Sequence, residues 1–380
     1  MVESKTSNPE LAEVLGRDGP WTSVYTDGTG ALPQVEEEAH RRSVKDRLID
    51  AGAPEADAAT AESALSEHNG LPSPSARVLL ISGGQVALDR GFVGARLGAE
   101  RFDHGPLPQI APLLRHLGAT VRYLVVETSR DGAAIRLETS GRGSSDAELE
   151  IEGETEDITK VQAGGWSHAG FQRYAENTWK HNQDDVASAV SDLIREQHPT
   201  FIAVSGDVRA RQLLSEALSE TERDLIVDVD VHTRTAGSDS GALDGAVAQA
   251  INGHTEERIR EVRDRAAADN GSGGAEGIGE VVTALQQARV DTLLLDGRML
   301  DEDRTLLALD GPPWVATDES QRLTAELIAV VSAPEALARA AVLTDAQVLV
   351  EEDEPSDEDA PREDRDVRRP LAALRWRDER

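Results

Sequence analysis

The sequence predicts an α/β protein of three domains. Its 380 residues exceed the length of one typical domain core and suit two or three. Short apolar strands alternate along the chain with longer helical segments, which is typical of α/β units. These segments group into units at residues 1–118, 119–269 and 270–380, and the run Asn270–Gly274 is interpreted as a hinge between the last two.

The first unit alternates strands and helices. A short strand begins at Trp21, and Gly52 and Pro54 separate two helices that follow it. A near-continuous apolar strand then reaches Gly83-Gly84, a dipeptide that favours a hairpin turn. The predicted strands are 21–25, 77–82 and 85–88, and the predicted helices are 36–51, 53–66 and 108–117.

The second unit begins with two strands joined by the hairpin signal Ser129–Gly132. The polar tract Gly141–Thr159 predicts an exposed hairpin or loop. Further on, Asp207 is a suitable N-cap for a helix that connects two strands, which indicates a βαβ crossover. The predicted strands are 121–127, 133–137, 200–204 and 225–231, and the predicted helices are 171–194, 208–218 and 243–269.

The third unit has the same mixed character. An acidic, proline-containing stretch at 351–366 is typical of a disordered loop. The predicted helices are 277–288, 320–331 and 334–341, and the predicted strands are 291–295, 314–316, 347–350 and 371–376.

Composition limits the possible functions. The net charge of −32 opposes general nucleic-acid binding, so any RNA contact must depend on local basic residues. The chain has no cysteine, which excludes disulfides, thiolate metal sites and cysteine nucleophiles. No apolar run approaches the roughly 18 residues that a membrane helix needs. We therefore expect a cytoplasmic protein with no membrane partner.

The most informative stretch is Gly164-Gly165-Trp166-Ser167-His168, which leads directly into the predicted helix 171–194. The glycines allow positive φ and close approach to another surface, and the Trp and His side chains can stack on bases or on peptide. Arg173 and Lys180 are seven residues apart and share one face of the helix. This pattern predicts an RNA-binding loop and helix. The alternative is an ordinary turn before a helix.

The segment Gly164–Ile194, with Gln172-Arg173 and Trp179–Asn182, resembles the middle-domain signature of the bacterial release-factor-like families. Their relatives are the archaeal and eukaryotic class-1 release factors, Pelota and the peptidyl-tRNA hydrolases of ribosome quality control. Within these families the sequence is most similar to the mycobacterial dormancy-associated branch and to the hibernation factor Balon. Further segments agree in order: Ser23–Asp27, Val204–Arg209, Gly277–Leu295 and Leu371–Trp376.

The resemblance implies a fold and a set of partners. It implies a mixed-sheet N-terminal domain, an RNase H-like middle domain and a ribosomal-protein-like α/β C-terminal domain. The N-terminal domain would lie at the decoding centre, and the middle domain would point its loop at the peptidyl-transferase centre. The C-terminal domain would contact a translational GTPase such as elongation factor Tu. The implied partner is ribosomal RNA at the A site, with no DNA and no cofactor.

The loop departs from the family at the residue that matters for chemistry. Release factors carry Gln at the third position, where it helps water attack the ester, and Trp166 cannot replace that amide. The quality-control hydrolases have Gly-x-x-Gln, whereas this chain has His168 at the fourth position. His168 is the only catalytic candidate, as a general base. We therefore expect occupation of the A site of idle ribosomes during stress or dormancy, without peptide release. The alternatives are a peptidyl-tRNA hydrolase or nuclease in ribosome rescue, and a stress-induced protein–protein adaptor.

The expected RNA-binding residues form two groups, one in the loop and the helix that follows it and one on the helix 36–51. The first group is Gly164, Gly165, Trp166, Ser167, His168, Gln172, Arg173, Lys180 and His181, and the second group is Arg41, Arg42 and Lys45. For the second group, a solvated helix face is an equally good interpretation.

The acidic strand end at Asp228, Asp230 and His232 has too few ligands to predict a metal site.

Overall fold

The α/β class is confirmed by a computed structural model, which describes residues 9–28, 30, 33–118, 120–142, 145–152, 167–229, 241–352 and 369–376. The chain divides into two compact units. The terminal unit comprises residues 1–119 together with 255–380, and the middle unit comprises residues 120–254. The division into domains 1–118, 119–269 and 270–380 stays a prediction. No helix in the described ranges is both long and apolar enough to cross a membrane.

The first part of the terminal unit is a four-stranded antiparallel sheet with the strand order β3-β2-β1-β4. Helices α2 and α3 cover one face, where Val44 and Leu48 of α2 and Leu65 of α3 belong to one buried cluster with Leu79 and Ile81. The elements are α1 (Pro9–Leu15), β1 (Trp21–Asp27), α2 (Gln34–Asp50), α3 (Glu55–Ser66), β2 (Ser75–Ser82), β3 (Gln85–Val93), β4 (Arg101–Gly105) and α4 (Ala111–Gly118).

The second part of the terminal unit has two sheets, with the orders β10-β16-β11-β15 and β13-β12-β14. One apolar core is shared with the first part, since Trp21 and Leu113 belong to the same buried cluster as Leu285 and Leu337. The elements are α8 (Gly241–Gly271, of which residues 255–271 belong here), β10 (Gly274–Glu276), α9 (Gly277–Gln286), β11 (Val290–Asp296), β12 (Thr305–Leu309), β13 (Val315–Ala316), β14 (Leu327–Ser332), α10 (Ala333–Leu343), β15 (Gln347–Glu351) and β16 (Leu371–Leu374).

The middle unit is a five-stranded sheet with the order β7-β6-β5-β8-β9. Strands β5, β8 and β9 are parallel, and β6 and β7 extend the sheet in antiparallel fashion. Helices α5 and α6 cover one face, and the beginning of α8 covers the other through Leu243 and Val247. The elements are β5 (Arg122–Ser129), β6 (Gly132–Thr139), β7 (Ala147–Glu152), α5 (Ser167–Gln197), β8 (Ile202–Gly206), α6 (Val208–Ala217), α7 (Glu220–Arg223) and β9 (Ile226–Asp228).

One predicted element is wrong. The segment 320–331 was expected to be helical, but it contains a short 3-10 helix at Glu319–Gln321 and then the strand Leu327–Ser332. The β-branched residues Ile328, Val330 and Val331 fit a strand better than a helix. This strand pairs antiparallel with β12, so a tertiary partner decides its conformation.

The glycine run interpreted as a hinge is a tight turn from α8 into β10. Gly271 has φ of 86° at the end of the helix. A side chain at Gly274 would place its Cβ 2.5 Å from the Cβ of Ala266, so only glycine fits this close approach. The residues Gly274–Glu276 pair with β16.

Candidate nucleic-acid interface

Helix α5 is the element that carries half of the predicted RNA-binding residues. Val186, Ala187 and Val190 are buried at helical spacing against β5, β6 and β8, and they anchor the second half of the helix. Lys180 and His181 lie one to two turns earlier and are exposed. The helix therefore has an apolar anchor and, before it, basic and imidazole side chains open to a partner.

Two buried amides connect α5 to the hairpin between β5 and β6. Asn182 and Gln183 are 1% and 0% exposed. The Nδ2 of Asn182 donates to the carbonyl oxygen of Arg130 at 3.1 Å, and the Nε2 of Gln183 donates to that of Ser129 at 2.8 Å. The hydroxyl of Thr128 donates to the Oε1 of Gln183 at 2.9 Å. The amide group of Gln183 thus uses its donor and its acceptor together.

Arg130, at the tip of the same hairpin, joins three elements. Its guanidinium lies 4.5 Å from the ring centre of Trp179 on α5, a cation–π distance. Its Nε lies 3.2 Å from Oδ2 of Asp207, and the Arg130 side chain is 51% exposed. The hairpin tip, α5 and the start of α6 therefore meet around one half-exposed arginine.

Asp207 caps helix α6, as the sequence predicts. Its Oδ1 accepts from the backbone N–H groups of Arg209 at 2.9 Å and Ala210 at 3.1 Å. Burial raises the pKa of this carboxyl, but the N–H of Ala210 and the Arg130 guanidinium outweigh burial and hold the pKa below its usual value. Asp207 is therefore a fixed negative charge that orients Arg130.

The predicted loop residues are only partly placed. Gly164, Gly165 and Trp166 lie outside the described residues. Ser167 begins α5, and His168, Gln172 and Arg173 follow within its first two turns. The structure therefore places the backbone of these four residues on the same helix as Lys180 and His181.

The second predicted group lies on α2 in the terminal unit. Lys45 forms ion pairs with Glu55 at 3.0 Å and Glu62 at 3.4 Å, and these hold its pKa above the usual value. Arg42 lies 3.4 Å from Glu38 one turn away. Arg41 is half-buried on the same helix. Neighbouring carboxylates thus offset the positive charge of Lys45 and Arg42.

The described residues offer little for metal chemistry. No group of three or more His, Asp or Glu side chains among them is arranged to hold a metal ion. Asp228 pairs with the buried Arg211 of α6, so its carboxylate has a structural partner. Asp230 and His232 lie outside the described residues.

Sequence reasoning missed Arg130, Thr128 and Gln183. A signal for Gln183 was present, because it lies four residues after Trp179 and three before Val186, which places an amide on the apolar stripe of α5. A polar residue at such a position needs a buried partner. The identity of that partner depended on the sheet register and was not visible in the sequence.

A comparison with known proteins finds similarity in the segment that contains the predicted loop and helix. The profile of the bacterial archaeo-eukaryotic release factor family 2 matches residues 122–272. An uncharacterized protein of Mycobacterium tuberculosis is 27% identical over 296 residues, covering 75% of this chain and 77% of its own length.

Solved structures of similar proteins come from translation termination and RNA quality control. An archaeal translation termination factor is 16% identical, with a TM-score of 0.24, and the match covers 97% of this chain and 95% of that one. A translation termination-like factor of S. cerevisiae is 12% identical, with a TM-score of 0.39 and 80% of each chain covered. Pelota of Archaeoglobus fulgidus is 12% identical, with a TM-score of 0.32, covering 98% and 92%. The family profile confirms the predicted resemblance to the bacterial release-factor-like families for the segment 122–272, which contains the predicted loop and helix.

Proposed function

We propose that this protein binds the ribosome and occupies the A site of idle ribosomes without releasing peptide. The observation that carries the proposal is the family match over 122–272, since this segment contains the loop 164–168 and the whole of α5.

The charges along α5 limit where RNA would bind. Lys180 and His181 are exposed, but the exposed Asp184 and Asp185 follow after the two buried amides and would repel phosphate. Contact with RNA is therefore confined to the loop and to the first half of the helix, up to His181. Arg130 lies beside this stretch over Trp179. This stretch carries Arg173 and Lys180 with the exposed Glu176 between them, and so few basic residues suit insertion into a narrow RNA site better than wrapping along a duplex.

Trp166 is the reason to expect occupation and not hydrolysis. Release depends on an amide at the third loop position, and an indole has no acceptor with which to orient water. The same proposal assigns the decoding centre to residues 1–118 and contact with elongation factor Tu to residues 270–380. Both assignments follow from the family resemblance.

Co-sedimentation with vacant ribosomes and with ribosomes that carry peptidyl-tRNA tests the proposal. We expect stable binding and no ester cleavage above background. The variant Trp166→Gln restores the residue that release factors carry, and it is measured beside the wild type in the same assay. Cleavage by the wild type that His168→Ala abolishes would instead establish a rescue hydrolase. Absence of binding at low salt would leave the protein–protein adaptor as the better function.

A further inference from the structure

The buried pair Thr128–Gln183 lies at the transition between two differently held halves of α5. From Val186 onward the helix is anchored by apolar side chains, whose contacts are not directional. Among the described residues 176–183, the two fully buried ones are Asn182 and Gln183, and both are amides. The stretch 176–183 of α5 is therefore oriented by hydrogen bonds.

The geometry of these hydrogen bonds selects one rotation of α5 about its axis and one position of α5 along that axis relative to the hairpin. Gln183 accepts from Thr128 and donates to the carbonyl of Ser129, while Asn182 donates to the carbonyl of Arg130. Three consecutive hairpin residues are thus matched by two consecutive helix residues. A rotation of the helix by one residue, about 100°, would leave these buried groups without partners, which is costly inside a protein.

The hairpin is itself fixed from the other side. Gly206, at the end of β8, has φ of 116°, and a Cβ there would lie 1.9 Å from the carbonyl oxygen of Thr128. The two parallel strands therefore meet closely where the hairpin begins. The backbone N–H of Asp207 also donates to the carbonyl oxygen of Thr128 at 3.1 Å, so β8 fixes the start of the hairpin, which can serve as a reference for the helix.

We propose that Gln183, through Thr128 and the hairpin carbonyls, is a positioning residue that sets the direction in which α5 presents Lys180 and His181. This inference rests on the proposed function for its consequence, because a misdirected helix would meet the ribosomal site poorly. The positioning itself is a property of the isolated protein and can be measured without ribosomes.

The test combines three variants of the full chain. Gln183→Met keeps the size of the side chain and removes both hydrogen bonds. Thr128→Val with Gln183→Met removes both side-chain partners and so restores much of the lost stability. Val186→Ala, one turn further along, weakens the apolar anchor and is the matched control.

Hydrogen exchange of the free protein is the first measurement. In Gln183→Met we expect the backbone amides of 167–182 to exchange at least tenfold faster than in the wild type. The exchange rates of the amides of 186–197 should change only by the amount that the loss of global stability explains. The double variant should regain its melting temperature and keep the fast exchange in 167–182. Val186→Ala should affect both halves in parallel. Unchanged exchange of 167–182 in both Gln183 variants, measured against global stability, would overturn the proposal.

Ribosome affinity of the same variants is the second measurement. If the wild type binds, we expect the double variant to bind about tenfold more weakly despite its restored stability, whereas a merely structural role would restore both. Affinity equal to wild type in the double variant would overturn the positioning role. A wild type that does not bind ribosomes would instead refute the proposed function, and the exchange result would still decide the positioning.

Discussion

Helices α10 and α5 differ in how the protein holds them. In α10, all residues from Ala333 to Val342 are buried, and its five alanines let neighbouring elements approach from every side. Helix α5 buries one stripe and leaves charged residues such as Lys180 and Asp184 in solvent. A helix buried all round can only support the fold, whereas a helix with one open face can also meet a partner.

The charged residues of α10 illustrate the cost of full burial. The carboxylate of Glu335 accepts from the backbone N–H groups of Ile110 at 2.8 Å and Ala111 at 3.0 Å. Burial raises the pKa of Glu335 to about 7 against the opposing effect of these N–H groups. Arg339 donates to the carbonyl of Leu309 at 3.0 Å, and burial lowers its pKa to about 10. Among the described side chains of α5, by contrast, the fully buried polar ones are the neutral amides of Asn182 and Gln183.

Truncation in the core helix should have the largest effect. Leu337 is fully buried, and Leu337→Ala should lower the free energy of unfolding by about 4 kcal/mol through lost burial and a cavity. Urea unfolding followed by tryptophan fluorescence measures this loss. The control Leu323→Ala, at a side chain 81% exposed, should change stability by less than about 0.5 kcal/mol. Equal effects at the two positions would refute the assignment of α10 to the core.

The pH dependence of Glu335 comes next. A carboxyl whose pKa rises from 4.5 when unfolded to about 7 when folded binds its proton more tightly in the folded state. Its contribution to stability is therefore complete below pH 4.5 and is lost as the pH rises to 7, by about 3 kcal/mol. Unfolding of Glu335→Gln, compared with wild type over this range, should show a difference that grows by that amount in favour of the variant.

The comparison with the variant is needed because His116 acts in the opposite direction. Burial lowers the pKa of this imidazole from 6.5 to about 4, so its contribution is present above pH 6.5 and is lost as the pH falls to 4. The wild-type curve alone would mix the two effects. A difference between wild type and Glu335→Gln that stays constant with pH would contradict the assignment to Glu335.

Loss of the cap on α6 should have a smaller effect. Asp207→Ala removes the acceptor for two backbone N–H groups and should cost about 1 kcal/mol, measured by urea unfolding. It should also release Arg130 from its ion pair and alter the fluorescence of Trp179. The surface variant Asp192→Ala removes an exposed pair with Arg195 and should cost less than about 0.5 kcal/mol. If Asp207→Ala lowers the free energy of unfolding by as little as Asp192→Ala, this result would argue against Asp207 as the cap of α6.

Substitution on the open face of α5 should have the smallest effect on stability. Lys180→Ala should leave unfolding unchanged, because the side chain is exposed. If α5 contacts ribosomal RNA, the variant should weaken binding and lower the slope of log affinity against log salt by about one. Arg195→Ala, on the same helix beyond Asp184 and Asp185 and at a residue paired with Asp192, is the matched control and should leave the slope unchanged. The same loss for both variants would contradict an RNA contact confined to the first half of α5.

Local signals predicted much of the fold. Gly83 and Gly84 both have positive φ in the hairpin, the cap at Asp207 forms, and Val186 and Val190 are buried as the stripe requires. The strand 327–332 was not predictable, because its partner β12 lies about 20 residues earlier and decides the outcome. The buried amide of Gln183 was visible as an anomaly, but its partners depended on the register of β5 and β6. Long-range pairing is what the sequence does not reveal.

The discontinuity of the terminal unit has a consequence for synthesis. Its core joins Trp21 and Leu113 to Leu337, so it cannot be complete until the region of α10 has left the exit tunnel. The middle unit, residues 120–254, is finished first. At typical translation rates the first 119 residues wait on the order of 10 to 40 seconds for the rest of their core. Nascent chains should therefore acquire protease resistance in the middle before they acquire it at their beginning.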